Sequence, residues 1–313
     1  MLPDFAKFVD RGAIFVEPPT ELIFLCGGKT GNSPSKLLSI RDAFLKAPAN
    51  PALTGRAVLL AEKVNTFHLS RPAYPDLLGF EIDFAQVCEL ILLFSESQGS
   101  IAELGAFSML PELASKMLVV VRDYHLRDDS FIKLGPLQHL KAEYGEHSVF
   151  IINDDDVGLS KTSVKNLKLD VLRDRLAPAI DDRFQAVKER VTFNRDRRGH
   201  LIKMMVGFVQ EFGGLTAAEI VGLFNDFGVT SSVAEVDRLM LCAEAAKWVA
   251  REQRGFEIYY FALPGVKDAL VLKFEKGAPI FNKGRRRQTL RDHWKSCDQP
   301  RHAGIIKFAG GAA

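Results

Sequence analysis

The stretch "LILLFSESQGSIAELGAF", residues 90–107, decides how the chain is read. Its apolar opening runs without alternation and stops at Ser95-Glu96-Ser97-Gln98-Gly99-Ser100. An unbroken apolar run with a polar end marks a strand buried on both faces, and a Ser/Gly break before good helix formers marks a helix start. The spacing predicts a strand over 90–96 and a helix over 100–116. One carboxylate, Glu103, interrupts the apolar helix. Ser100-x-x-Glu103 matches a capping box, in which the two side chains satisfy orphan amides of the first turn, worth about 1 kcal/mol. Against that structural role stands the position: the break follows a buried parallel strand, and Gly99 lets a ligand approach the backbone. On the residue pattern both roles stay open.

Working outward, short apolar runs alternate with amphipathic ones from residue 21 to 154, the pattern of βα units on a parallel sheet. Strands are expected over 21–28, 56–63, 90–96, 117–123 and 148–154, with helices over 35–47, 75–89, 100–116 and 135–145. The expected fold is α/β, a doubly wound parallel sheet. Ligands of such sheets bind outside the carboxyl ends of the strands. That rim holds Gly27, Gly28, Glu62, Glu96, Ser97, Gly99, Ser100 and Glu103.

The 313 residues suffice for two domains, and 47% hydrophobic with 26% charged residues is ordinary for a globular protein. A formal net charge of +2 creates no global field for nucleic acid or acidic lipid. Cys26, Cys88, Cys242 and Cys297 form no CxxC pair, which fits a reducing compartment and places the protein in the cytoplasm. No apolar run approaches the roughly 18 residues of a membrane span, so no membrane association is expected. "CGGKTG" lacks the first P-loop glycine, since Ile23 stands five positions before Gly28. The histidines show no metal-ligand spacing, so neither metal nor cofactor is expected.

Residues 156–193 are polar and weakly periodic, and read as a linker with a connecting helix. From 194 to 313 a second, smaller domain is expected. Three closely spaced amphipathic helices, one opening with Thr216 and Glu219 as a capping box, precede two strands turning at Arg254-Gly255, the order of a winged helix-turn-helix. The presumed recognition helix over 232–248 mixes Arg238 and Lys247 with Glu235, Asp237 and Glu244, a poor surface for phosphates. Arg285, Arg286 and Arg287 lie in a basic tail and are the candidate nucleic-acid contacts.

Residues 97–105, with Gly99, Ser100 and Glu103-Leu104-Gly105, resemble the motif of nucleoside deoxyribosyltransferases. "IFLCGG" at 23–28, Glu62, "LLGFE" ending at Glu81, "ESQGSIAELGAF" at 96–107 and "FIKLGP" at 131–136 are more similar still to retron-associated effectors, which join a deoxyribosyltransferase-like domain to a winged-helix-like one. The resemblance covers 21 to about 152 and puts the N-glycosidase domain at 1–155. It departs from the deoxyribosyltransferases at Ser97, where they carry an aspartate, leaving Glu96 as the nearest candidate acid or base. It departs again at Phe24, where they carry a tyrosine.

The resemblance implies that Glu103 is the nucleophile of an N-glycosidase. Gly27, Gly28, Ser97, Gly99 and Ser100 would bind substrate, and Glu62 and Glu81 would hold ribose hydroxyls or position the base. NAD or a related nucleotide is the implied substrate; NAD suits the site because nicotinamide leaves a cationic donor as a neutral base and needs no general acid. The implied role is a retron antiphage-defence toxin, held in a larger assembly with the reverse transcriptase and its branched RNA-DNA product. Two alternatives stand beside it: a nucleoside 2-deoxyribosyltransferase of nucleotide salvage, and a nucleotide-sensing, nucleic-acid-binding regulator.

Overall fold

The computed structural model describes residues 6–19, 22–160, 163–185, 189–275, 277–278 and 282–310. The chain folds into two compact units, one of Pro19–Lys63 and Cys88–Val187, the other of Met1–Pro18, Val64–Val87 and Lys188–Ala313. Consecutive segments 1–155, 156–193 and 194–313 are therefore not how the contacts divide. The helix Ala61–Ser70 carries the chain from the first unit into the second between Lys63 and Val64.

In the first unit β1 (Leu22–Cys26), β2 (Ala57–Leu60), β3 (Leu90–Phe94), β4 (Met117–Arg122) and β5 (Val149–Ile152) form a parallel sheet in the order β2-β1-β3-β4-β5. All five residues of β1 and of β3 are buried, because both faces of the sheet are covered. On one face Ile23, Leu25, Leu92, Phe94, Leu118 and Val120 pack with Phe44 of the helix Ile40–Lys46 and with Leu172, Leu176 and Ile180 of the helix Leu169–Gln185. That last helix is core rather than linker. Its apolar stripe at 172, 176 and 180 is narrow enough to be lost among flanking charges in the sequence. On the other face Phe24 meets Phe107 of the helix Gln98–Ser108, ring centroids 6.4 Å apart.

Several boundaries differ from expectation. The helix expected over 100–116 is two, Gln98–Ser108 and Pro111–Ala114, parted just before Pro111, which disfavours helical backbone in the residue ahead of it. The strand expected over 56–63 ends at Leu60, and Ala61-Glu62-Lys63 already turns into helix, as strong helix formers do when strand pairing stops. The helix expected over 35–47 starts only at Ile40. Its cap Ser39 accepts from Asp42 N at 2.9 Å, while Asp42 accepts from the Gly31 and Leu38 amides and so holds the preceding loop.

The second unit contains the helices Arg198–Phe212, Ala217–Asp226 and Val233–Ala245 and an antiparallel sheet in which Glu257–Ala262 lies between Gly214–Thr216 and Val249–Arg254. The capping box at Thr216 and Glu219 is present, and Gly255 turns the hairpin at φ 62°. A second antiparallel sheet pairs Val9–Val16 with Leu270–Phe274 and Val191–Thr192. The helix Leu77–Val87 belongs to this unit, although its sequence lies between two strands of the parallel sheet. Buried Asp83 receives Arg198 Nε at 2.7 and 2.8 Å and the Tyr74 hydroxyl at 2.9 Å, and Gln86 receives the Gly199 amide at 2.8 Å. Arg71 pairs with Glu244. Among the described residues no helix is long and apolar enough to cross a membrane.

Candidate active site

The sheet order reverses between β1 and β3: β1 leads outward to β2, while β3 leads the other way to β4. Crevices at such switch points, beyond the carboxyl ends of the strands, are where open α/β sheets bind ligands. Here the chain leaves β1 through Gly27 and Gly28 and leaves β3 through Ser95, Glu96 and Ser97.

Ser97 caps the helix Gln98–Ser108, and the capping box is Ser97 with Ser100 rather than Ser100 with Glu103. Ser97 Oγ accepts from Ser100 N at 3.1 Å and lies 3.3 Å from Gly27 O. Ser100 Oγ accepts from the amides of Ser97 and Glu96 at 3.0 and 3.2 Å, and donates to Ser97 O at 3.0 Å. The Ser100 hydroxyl, on a residue only 2% exposed, is thus spent on the turn. Glu96 turns away from the helix it precedes. Its carboxylate accepts from Gly28 N at 3.0 Å, Ile40 N at 2.7 Å and Arg41 N at 3.0 Å, so this candidate acid or base is engaged in anchoring the next helix. Gly27 and Gly28 are required by these neighbours. A Cβ on Gly27 would meet Arg41 and Phe94 at 3.0 Å, and one on Gly28 would meet Ser39 at 2.6 Å and Glu96 at 3.0 Å.

Glu103 lies six residues past the cap and needs no part in it. Three and four residues from Ser100 and Phe107, it shares the helix face that looks onto β1. Half-buried, it leaves Oε2 without a hydrogen-bond partner and out of contact with solvent. Burial pushes its carboxyl above the ordinary range. A hydrogen bond from the Cys26 thiol and the charge of Arg41 oppose that shift, while the charge of Glu62 adds to it. Cys26 is on the same face of β1 as Phe24, two residues on, and fully buried.

Glu62, in the first turn of its helix, joins this group. Arg41 Nη1 donates to Oε2 at 2.9 Å and Nη2 to Oε1 at 3.1 Å, and Thr30 Oγ1 donates to Oε1 at 2.7 Å. Burial works to raise the Glu62 carboxyl, but these donors outweigh it and hold the group below the ordinary carboxylate range. Gly99 is exposed at the second helical position, where an added Cβ would meet only Ser97 Oγ at 4.0 Å. Glu81 is buried in the helix Leu77–Val87 and belongs to the other unit. Sequence reasoning missed Cys26, Arg41 and Thr30. Arg41 looked like the polar side of an amphipathic helix, and its position among Ile40, Asp42, Ala43 and Phe44, all buried, was legible only after folding.

The basic segment is a helix, Lys283–Cys297, not a tail. Arg286 Nε is 2.7 Å from buried Glu211, and Arg287 reaches Asp268 at 3.3 Å. Arg285 alone of the three is exposed. Among the described residues no group of three or more His, Cys, Asp or Glu side chains is arranged to hold a metal ion.

A family model described as STM3845 retron effector protein matches residues 37–251, more than half of the chain and the part that contains Arg41, Glu62 and Glu103. The chain belongs to this retron effector family. Two Escherichia coli proteins are similar over parts of their length. The "Retron Ec73 putative ribosyltransferase/DNA-binding protein" is 26% identical over 153 residues, 47% of this chain and 46% of that protein. The "Retron Ec86 putative ribosyltransferase/DNA-binding protein" is 30% identical over 119 residues, 38% of this chain and 37% of that one. This retron effector thus spans less than half the length of the curated relatives it matches.

Proposed function

We propose that the α/β unit is a deoxyribosyltransferase-like N-glycosidase that cleaves NAD or a related nucleotide, with Glu103 as nucleophile. The observation that carries the reading is Glu103 itself: a carboxylate beside the switch point, outside the helix cap, with one oxygen buried and unpartnered. Leaving such an atom unsatisfied is costly, and a carboxyl perturbed by burial beside a ligand-binding crevice is a candidate reacting group. In the reaction a Glu103 oxygen bonds to the anomeric carbon as the carbon–nitrogen bond breaks, and the bonding pair leaves with the base, which for NAD is neutral nicotinamide. Water then attacks the same carbon, loses a proton, and returns Glu103 as a carboxylate. Glu62, fixed by Arg41 and Thr30, has acceptor capacity left for sugar hydroxyls. Gly99 leaves the helix N-terminus open to an approaching ligand.

Family membership supports a role as a retron effector. Restraint of that effector in the cytoplasm by the reverse transcriptase and its branched RNA-DNA product is part of the proposal. The second unit is read as winged-helix-like from its order of helices and strands. The relatives' printed names favour ribosyl transfer as a second reading: the first half-reaction is the same, and a base rather than water accepts the sugar. Nicotinamide release from NAD by the purified protein, measured for wild type and Glu103→Gln, tests the proposal. The variant is expected to fold and to lose release; a rate equal to wild type overturns the assignment. Product recovered on an added base instead of as free sugar decides for transfer.

A further inference from the structure

Arg41 is only 3% exposed and lies in the first turn of its helix, where the helix dipole disfavours a cation. Burying a guanidinium there is costly unless its donors are matched. They are matched by groups outside its own helix. Nε donates to Gly28 O at 2.8 Å, Nη1 to Leu25 O at 3.0 Å and to Glu62 Oε2 at 2.9 Å, and Nη2 to Glu62 Oε1 at 3.1 Å. One side chain therefore ties the end of β1, the glycine turn and Glu62 together. Glu103 lies on the helix face that looks onto β1, the strand whose Leu25 carbonyl Arg41 holds, and the charge of Arg41 favours its ionised form while that of Glu62 opposes it. Two carboxylates that share a pocket oppose each other's ionisation unless a cation sits beside them.

We propose that Arg41 is the positioning residue of this site: its guanidinium clamps Glu62 and the glycine turn at the end of β1, and its charge favours the ionised, attacking form of Glu103. The proposal rests on the reading of Glu103 as nucleophile and adds to it how the nucleophile is kept ready. A structural clamp alone would hold the fold without setting the charge state of Glu103, and the two roles separate by the sign of a titration.

Glu103 must be deprotonated to attack, so activity falls as pH falls through its pKa, and the acid limb of kcat/KM reports that value in the free enzyme. Arg41→Met leaves Glu62 as an unbalanced negative charge, and the limb is expected to move up by at least about half a pH unit. Glu62→Gln leaves Arg41 unbalanced, and the limb is expected to move down by a similar amount. Arg41→Lys keeps the charge but loses the fork, so kcat/KM falls while the limb stays near wild type. The same midpoints are read without turnover from the carboxyl resonances of 13C-glutamate-labelled protein, with Glu103→Gln as the assignment control. Opposite shifts in the two charge-removing variants support the proposal; shifts of one sign, or an unmoved midpoint in Glu62→Gln, overturn it. If Arg41→Met does not fold, Glu62→Gln and Arg41→Lys decide. Activity retained in Glu103→Gln overturns the nucleophile reading instead, and the resonance titration still settles what Arg41 does to Glu103.

Discussion

Glu103 has an oxygen that no group of the protein satisfies, and its neighbours at the helix start show by contrast what a satisfied polar residue looks like. Ser100 makes its hydrogen bonds within the turn, so Ser100→Ala should strand the amides of Glu96 and Ser97 and cost about 1 kcal/mol. Gly99 is the opposite case. Alanine there fits the space and suits the helix, stabilising it by up to about 1 kcal/mol. If substrate approaches the backbone at Gly99, Gly99→Ala should raise KM while the melting temperature stays level or rises. Melting curves beside substrate titrations for the two variants separate these effects: a Gly99→Ala protein with unchanged KM would remove that residue from the binding surface.

At the scale of the element, the helix Val233–Ala245 answers whether a recognition helix is available. Leu239, Met240, Leu241, Cys242 and Ala243 are all buried, and five consecutive residues cover every side of a helix. Its acidic residues are engaged as well: Glu235 with Arg198 and Arg238, Asp237 with the Tyr260 hydroxyl, Glu244 with Arg71. The enclosed part is the C-terminal half; the first turns leave Val233 and Ala234 exposed and Glu235, Asp237 and Arg238 half-buried, and the one cation among them, Arg238, is paired with Glu235. Packing and composition agree here: the acidic residues that make the helix a poor surface for phosphates also hold its cation, Arg238. The same contacts predict stability. Arg198→Met leaves the carboxylate of Asp83 buried and short of its cation, and should cost about 2–3 kcal/mol in chemical denaturation. A wild-type midpoint would contradict that account of how the 64–87 segment is held in its unit.

Across the whole molecule, charge that reads as a basic surface in the sequence is partly internal. Arg286 faces Glu211, Arg287 faces Asp268, and Arg301, 4% exposed, pairs with Glu219 at 2.6 Å and Asp298 at 2.9 Å. Arg286→Glu would set two carboxylates against each other and should cost about 3 kcal/mol or more. Arg285→Glu, on an exposed side chain, should leave stability within about 0.5 kcal/mol of wild type. Any nucleic-acid contact of this helix is therefore tested with Arg285→Glu: weaker, less salt-dependent association with a retron RNA-DNA product at unchanged stability would assign the contact. Unchanged association would remove Arg285 from any such contact.

The sequence by itself determined the alternation of strands and helices from 22 to 152, the winding of a parallel sheet, and the appearance of Glu103 just past its central strand. Those features are local: apolar runs, helical spacing and a polar break act within a few residues of each other. Only the tertiary structure decided that Ser97 and Ser100 rather than Ser100 and Glu103 form the cap, and that Glu96 turns toward the helix at Ile40. It also decided that Arg41 is buried against Leu25, Gly28 and Glu62 at the end of the strand that the Glu103 helix faces. Equally out of reach was the departure of the helix Leu77–Val87 from the unit whose strands flank it. An amphipathic pattern shows that a helix has a face to bury and says nothing of what will cover it. A charged residue likewise carries no record of a partner tens of residues away, and the site is made of such partners.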